Sequence, residues 1–299
     1  MASPKGEEYP LLWLQGGGCS GCSVSLLNAV SPTAKNVLVD QIIPGKHLNV
    51  RFHPTVMAGA GDPALAEMER TQREARGAYL LVVEGSIALG SDGAYATVGE
   101  RKGEEVSILS WVKSLGQDAL AVIAFGTCAA FGGIPAAHPN PSGSVGVQEV
   151  LASEGMKTPL INLPGCPPHP DWFMGTVASL LIQGLPKQED LDEYQRPKAF
   201  YGQLIHENCP RRAYFDEGKF AKKLSDPYCL YELGCKGPVT HADCPIRLWN
   251  NGVNWCVGSG APCIGCVEPT FPDVLAPIYE KITDEALPNV GAAADSRKG

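Results

Sequence analysis

The chain has 299 residues, 44% of them hydrophobic, and carries a formal net charge of -8. At roughly 150 residues per domain, this length points to two domains, each with enough apolar side chain for a core. An acidic chain without a long Lys/Arg run excludes a nucleic-acid binder, because neutralising phosphates requires a basic face.

From the amino terminus, short apolar runs bounded by Gly predict strands at "LLWLQ" (11–15), "NVLVD" (36–40), "AYLLVVEG" (78–85), "ALAVIAFG" (119–126) and "PLINLPG" (159–165). Between them, "SVSLLNAV" (23–30), "PALAEMERTQREA" (63–75) and "EVSILSWVKSL" (105–115) have helical patterns. Strands alternating with helices predict an α/β fold, a parallel sheet covered by helices on both faces. The uncharged stretch 119–137 matches a membrane span in length only, since its Gly, Thr and Pro content fits a buried strand running into a loop. No membrane anchor is expected at either end. After about residue 185 the sequence turns polar and Pro-punctuated, and the apolar runs shorten while Cys, Pro, Asn and Gly crowd in. This places one domain at 1–190 and a smaller one at 191–299.

The first strand leads into "GGGCSGCSVS", where Gly16, Gly18 and Gly21 satisfy G-x-G-x-x-G and Asp40 follows at the spacing a dinucleotide fold uses for ribose hydroxyls. Cys19 and Cys22 weaken that reading. They occupy the place where a pyrophosphate would need bare backbone amides, although the start of a helix also suits a thiolate-ligated anionic cluster. A lone C-x-x-C is also compatible with zinc or a redox pair. Cys128 and Cys166, however, likewise come just past the carboxyl ends of predicted strands, the edge at which open parallel sheets bind ligands. Cys19, Cys22, Cys128 and Cys166 are therefore assigned to one site.

Seven of the eleven cysteines fall in the second part. An odd total, no apolar signal region in "MASPKGEEYP" and a chain of this size favour metal ligation over a disulfide framework. His206, Cys209, Cys229, Cys235, Cys244, Cys256, Cys263 and Cys266 divide into two sets of four, and with the first site they give twelve positions with no cysteine left over. His206 closes that count, while His47, His53, His138, His169 and His241 are taken as structural. Counting alone leaves zinc and iron open, because tetrahedral zincs would use the same number of ligands. Proline after Cys166, Cys209 and Cys244, a context also found in ferredoxins, favours iron-sulfur.

With these positions laid out, the chain resembles the small, electron-transferring subunit of nickel-iron hydrogenases, with the nickel-iron-selenium subgroup nearest in pattern. The motifs run from "WLQGGGCSGCSVSLLNAV" through "RFHPTVMAG", "LLVVEGSI", "GTCAAFGGIPAA" and "NLPGCPPHPDW" to "IHENCP", "LGCKGP" and "CIGCVEPTFPD". The resemblance implies a flavodoxin-like domain with a proximal 4Fe-4S cluster on Cys19, Cys22, Cys128 and Cys166, then an irregular iron-sulfur domain. It implies a medial 4Fe-4S cluster on Cys244, Cys256, Cys263 and Cys266, and a distal one on His206, Cys209, Cys229 and Cys235. Glu84 matches a family glutamate close to the proximal cluster, and is alternatively a cap for a helix or loop. Many relatives have proline where this chain has Cys256, which leaves them a three-iron medial cluster. Oxygen-tolerant members carry extra cysteines at the positions of Gly21 and Gly133, so their special proximal cluster is not expected here.

The implied function is the electron relay of a hydrogenase that interconverts hydrogen with protons and electrons. Its Ni-Fe centre would lie in a partner large subunit, and its electrons would go to an external carrier such as a multihaem cytochrome or a ferredoxin. No residue of this chain is expected to be catalytic. The alternative is a nucleotide-dependent dehydrogenase with structural zinc sites. Around the distal ligands, Arg211, Arg212, Lys219, Lys222, Lys223 and Lys236 nearly balance Glu207, Asp216, Glu217, Asp226 and Glu232, so no charge sign is indicated for the carrier. The family's twin-arginine leader and membrane helix are not seen. The expected location is cytoplasmic for the chain as it stands, or periplasmic if a leader has been removed.

Overall fold

The structure, a computed structural model, describes residues 7–38 and 45–282. Five parallel strands form the main sheet: β1 (Glu7–Gln15), β2 (Lys46–Phe52), β3 (Leu80–Glu84), β4 (Ala121–Phe125) and β5 (Leu160–Leu163). Their spatial order is β2-β1-β3-β4-β5, the doubly wound order of flavodoxin. Central strands of such a sheet are covered on both faces, and Leu11–Leu14, Leu80–Val83 and Ala121–Phe125 are accordingly buried without interruption. Side chains alternate between the faces. Leu12, Leu14, Leu81, Val83, Val122 and Ala124 join one core with helices α3 (Asp62–Glu74), α4 (Ile108–Asp118) and α7 (Val147–Ser153). On the other face, Trp13 meets Phe125 and Phe173 of α8 (Pro170–Gln183), with ring centroids 5.6 and 5.4 Å away.

Local chemistry sets several helix starts. Ser107 caps α4 by accepting the Ser110 amide at 3.1 Å, and the His169 ring does the same for the Asp171 amide of α8, also at 3.1 Å. One predicted strand is wrong. Residues 34–38 of the "NVLVD" region form helix α2 (Ala34–Leu38), and the second strand lies further on at "KHLNVRF". The reason is a reciprocal cap. The Asn36 amide donates to Thr33 Oγ1 at 3.2 Å and the Thr33 amide donates to Asn36 Oδ1 at 3.0 Å. Asp40, the supposed ribose ligand, lies outside the described residues.

The chain divides into two compact units between Arg196 and Pro197. Among the described residues of the second unit, α-helix is limited to Lys198–Tyr201, Arg212–Asp216 and Cys244–Arg247, joined by 3-10 turns such as Ile205–Asn208 and Tyr231–Leu233. Segments this short bury little apolar surface of their own.

Candidate metal centres

In the first unit, Cys19 lies just before α1 (Gly21–Leu27) and Cys22 inside it, Cys128 is in the first turn of α5 (Thr127–Phe131), and Cys166 follows β5. All four thus lie past carboxyl ends of sheet strands. Burial pushes the Cys22 thiol far up, and the charges of Glu84, Cys128, Cys19 and Cys166 push it further. Burial, then Cys166, raises Cys128 to about 11. Cys22, Cys128 and Cys166, the last also raised by burial and then Cys19, thus resist ionisation unless a positive centre compensates them. The loops are locked together: the Gly165 amide donates to Thr127 Oγ1 at 2.8 Å, and the Thr127 amide donates to the Gly165 carbonyl at 3.0 Å. Two glycines with positive φ keep the sulfurs clear. A Cβ at Gly126 (φ 106°) would sit 2.5 Å from Cys22 Sγ, and one at Gly133 (φ 54°) would sit 3.1 Å from Cys128 Sγ.

Glu84 is 2% exposed and ends β3. Its Oε1 accepts the Ser23 amide at 3.0 Å, while its Oε2 accepts from Trp13 Nε1 and Gln15 Nε2, each at 3.0 Å, and from the Ser23 hydroxyl. It is therefore a helix cap, and its charge also acts on Cys22. Of the two readings of Glu84, the structure shows the cap. Sequence reasoning missed the rest of this network. His53, taken only as structural, is 3% exposed, stacks on Trp13 with centroids 4.9 Å apart, and has Nε2 3.4 Å from Ser23 Oγ.

The nucleotide pattern is also explained away. The Gly16 amide donates to the Glu84 carbonyl at 2.7 Å and the Gly17 amide to the Ser86 carbonyl at 2.9 Å, so these donors are committed to the neighbouring chain segment.

In the second unit, His206, Cys209, Cys229 and Cys235 line one small cavity, together with Arg211 and Tyr231. His206 Nε2 is buried there without a hydrogen-bond partner among the described residues. Its ring meets Phe215 edge-on at 4.6 Å, and burial, then Arg212, holds its pKa down. Cys244, Cys256, Cys263 and Cys266 are the other set expected from the sequence. Burial raises Cys244 well above its ordinary value, with Cys266 and Cys256 adding to it, and Cys263 is raised by burial with Cys235 and Cys266 adding. Cys263 is buried and Cys256 exposed, beside a buried Trp255. The two sets touch where the Cys263 amide donates to Cys235 Sγ at 3.4 Å.

Two residues in the charge balance need correction. Lys236 is 1% exposed rather than on the surface. Arg211 Nη1 is turned onto its own chain, donating to the carbonyls of Asp226 at 3.1 Å and Tyr228 at 2.9 Å. Among the described residues, no three His, Cys, Asp or Glu side chains are grouped as a single metal ion would need.

Comparison with known proteins gives the family. Residues 201–279 match the family model for the C-terminal part of the NiFe/NiFeSe hydrogenase small subunit, and residues 19–180 that of the 20 Kd subunit of NADH ubiquinone oxidoreductase. The periplasmic NiFeSe hydrogenase small subunit of Desulfomicrobium baculatum is 48% identical over 282 residues, covering 91% of this chain and 87% of that protein. The periplasmic NiFe hydrogenase small subunit of Solidesulfovibrio fructosivorans is 40% identical over 276 residues, covering 91% and 81%. The crystal structure of the reduced, active NiFeSe hydrogenase from Desulfomicrobium baculatum superposes with a TM-score of 0.86 at 46% identity, covering 92% of this chain and 100% of that one. The chain belongs to the small-subunit family of NiFe/NiFeSe hydrogenases. It is an iron-sulfur electron-transfer subunit, and the Ni-Fe active site belongs to a separate large subunit.

Proposed function

We propose that this chain carries electrons between the Ni-Fe centre of the large subunit and an external carrier by holding three 4Fe-4S clusters. The observation that carries the reading is the single cavity lined by His206, Cys209, Cys229 and Cys235, in a chain whose eight other cysteines make up two further sets of four. Cys19, Cys22, Cys128 and Cys166 would hold the proximal cluster in a flavodoxin-like domain, residues 1–190. Cys244, Cys256, Cys263 and Cys266 would hold the medial cluster, and His206, Cys209, Cys229 and Cys235 the distal one, both in residues 191–299. Each cluster would supply one-electron chemistry at a potential set by its charge, its hydrogen bonds and its exposure.

The residues fit such groups. The donors are thiolates plus one imidazole whose Nε2 is buried and unpartnered among the described residues. Gly126 and Gly133 leave space against Cys22 and Cys128 that any side chain would fill. A single zinc draws its four ligands around one point, whereas a cluster takes one ligand per iron. With the amides of Gly16 and Gly17 paired, the zinc-dehydrogenase alternative loses its nucleotide loop as well.

Apolar surface beside the proximal ligands supports docking of the large subunit. Val24 and Leu27 of α1 are 65% and 63% exposed, and Ile134, next to Gly133, is 55% exposed. Covering them would exclude water from the proximal site. The carrier would be a multihaem cytochrome or a ferredoxin. No described helix is long and apolar enough to cross a membrane, and the relatives named periplasmic favour an exported enzyme over a cytoplasmic one. Metal analysis and a visible spectrum of the purified heterodimer test the reading. Brown protein with iron and acid-labile sulfide supports it, and colourless protein with zinc overturns it.

A further inference from the structure

Lys236 lies between the two ligand sets of the second unit and has a buried ammonium group that nothing in the relay reading yet uses. It directly follows Cys235, and its amide donates to the Cys263 carbonyl at 2.7 Å. The Cys263 amide in turn donates to Cys235 Sγ at 3.4 Å, so residues 235–236 and 263 form a closed bracket joining one ligand of each set. Thr240 tightens it. Its hydroxyl donates to the Lys236 carbonyl at 2.6 Å and lies 3.8 Å from Cys263 Sγ. At Gly265, between Cys263 and Cys266, a Cβ would fall 3.5 Å from Lys236 Cβ. The Lys236 main chain is thereby fixed against both sets.

The side chain is as constrained as the backbone. Lys236 is 1% exposed, and its Nζ donates to the carbonyls of Glu280 and, at 3.5 Å, Pro277. Those carbonyls are held over the bracket, since Lys281 pairs with Glu232 Oε1 at 2.9 Å and a Cβ at Gly234 would sit 2.5 Å from the Tyr279 carbonyl carbon. An ammonium has three donors and no acceptor, so two carbonyls suit its charged form. Among the described residues it makes no salt bridge, and a buried cation without a partner is costly. Burial lowers its pKa, and the charges of Cys235, Glu280 and Cys263 oppose that fall and favour the ammonium. Two of these three are cluster ligands, one from each set.

We propose that Lys236 sets the potentials of the medial and distal centres together, its buried positive charge stabilising an added electron on either one. Potentials of iron-sulfur centres depend on net charge, hydrogen bonding and solvent exposure, and a fixed charge away from water acts more strongly than a solvated one. One cation shared through the Cys235–Cys263 bracket moves both centres in the same direction, which keeps them matched for electron passage.

The inference rests on the three-cluster reading, so iron content and Mössbauer spectra of the wild-type heterodimer come first. Absence of the clusters there overturns that reading rather than this one. EPR-monitored redox titrations then compare the wild type with Lys236→Met, Lys236→Gln and Lys236→Arg in the assembled heterodimer. In both neutral variants, the reduction equilibria of the medial and distal centres should each shift tenfold or more toward the oxidised form, about 59 mV for one electron. Lys236→Arg should stay near wild type. The proposal is overturned if only one centre or neither moves, or if Lys236→Arg shifts as far as the neutral variants. Loss of iron from both neutral variants with full loading of Lys236→Arg supports the same need for charge, and loss from all three overturns it.

Discussion

The backbone amide of Ser23 donates to Glu84 Oε1 at 3.0 Å, tying the first turn of α1 to the end of β3. Through this bond, a strand of the sheet fixes the helix that carries Cys22. Glu84 also receives the Trp13, Gln15 and Ser23 side chains, so each of these carboxylate hydrogen bonds is one it accepts. Glu84→Gln turns one acceptor oxygen into an amide that faces other donors. Leaving buried donors unmatched costs about 1–3 kcal/mol. Hydrogen exchange of the Ser23 amide should therefore become at least roughly tenfold faster, and unchanged protection would show that Glu84 does not hold the helix start.

His53 gives this network a pH dependence. Its Nδ1 accepts the Thr55 amide at 3.2 Å, so the hydrogen of the neutral ring is on Nε2, facing Ser23 Oγ. Burial lowers its pKa from 6.5, with Glu84 opposing. Because the folded pKa lies below the unfolded one, the unfolded chain takes up the proton first as pH falls. The stability due to neutral His53 is then complete above 6.5 and declines below it, until the folded ring also protonates. His53→Gln should lose less thermal stability than wild type between about pH 7 and about pH 5. Parallel declines would assign the acid sensitivity elsewhere.

Gly126→Ala tests the cradle. The added Cβ would meet Cys22 Sγ at 2.5 Å, and φ of 106° is strained for any residue with a side chain. The strain alone is about 1–3 kcal/mol, and relief requires the sulfur to move. The variant should lose proximal-cluster iron while the medial and distal EPR signals persist. Full iron content would show that the loop adapts.

How much of this was legible follows from where the signal lies. The three strands that lead to the first four cysteines were readable because their apolar runs, such as Ala121–Phe125, are buried on both faces. The second strand was not, because β2 is an edge strand with only Leu48 and Phe52 buried, whereas "NVLVD" mimics a central one. Its "TAKN" lead-in, the Thr33–Asn36 cap, was the available cue. Lys236 has no local cue at all. Its burial depends on residues 277–280, which are remote in sequence, and a charge balance counts every lysine as solvated.

His206→Cys replaces a neutral ligand by an anionic one in the cavity shared with Cys209, Cys229 and Cys235. The added negative charge should lower the distal potential and slow electron exit to soluble acceptors. Potentiometric EPR should show the distal equilibrium displaced tenfold or more, about 59 mV. A variant that keeps both its potential and its turnover would remove His206 from the ligand set.

The number of thiols in the medial set bears most directly on the relay. Cys244, Cys263 and Cys266 alone would suit three irons, and Cys256, whose charge acts on Cys244, would supply the ligand for a fourth. The deciding measurement is EPR of the oxidised, air-protected heterodimer, because an oxidised three-iron cluster is paramagnetic and an oxidised low-potential 4Fe-4S cluster is silent. Three 4Fe-4S clusters predict no three-iron signal in the wild type and a new, stoichiometric one in Cys256→Pro. A stoichiometric three-iron signal from intact wild-type protein would contradict the account.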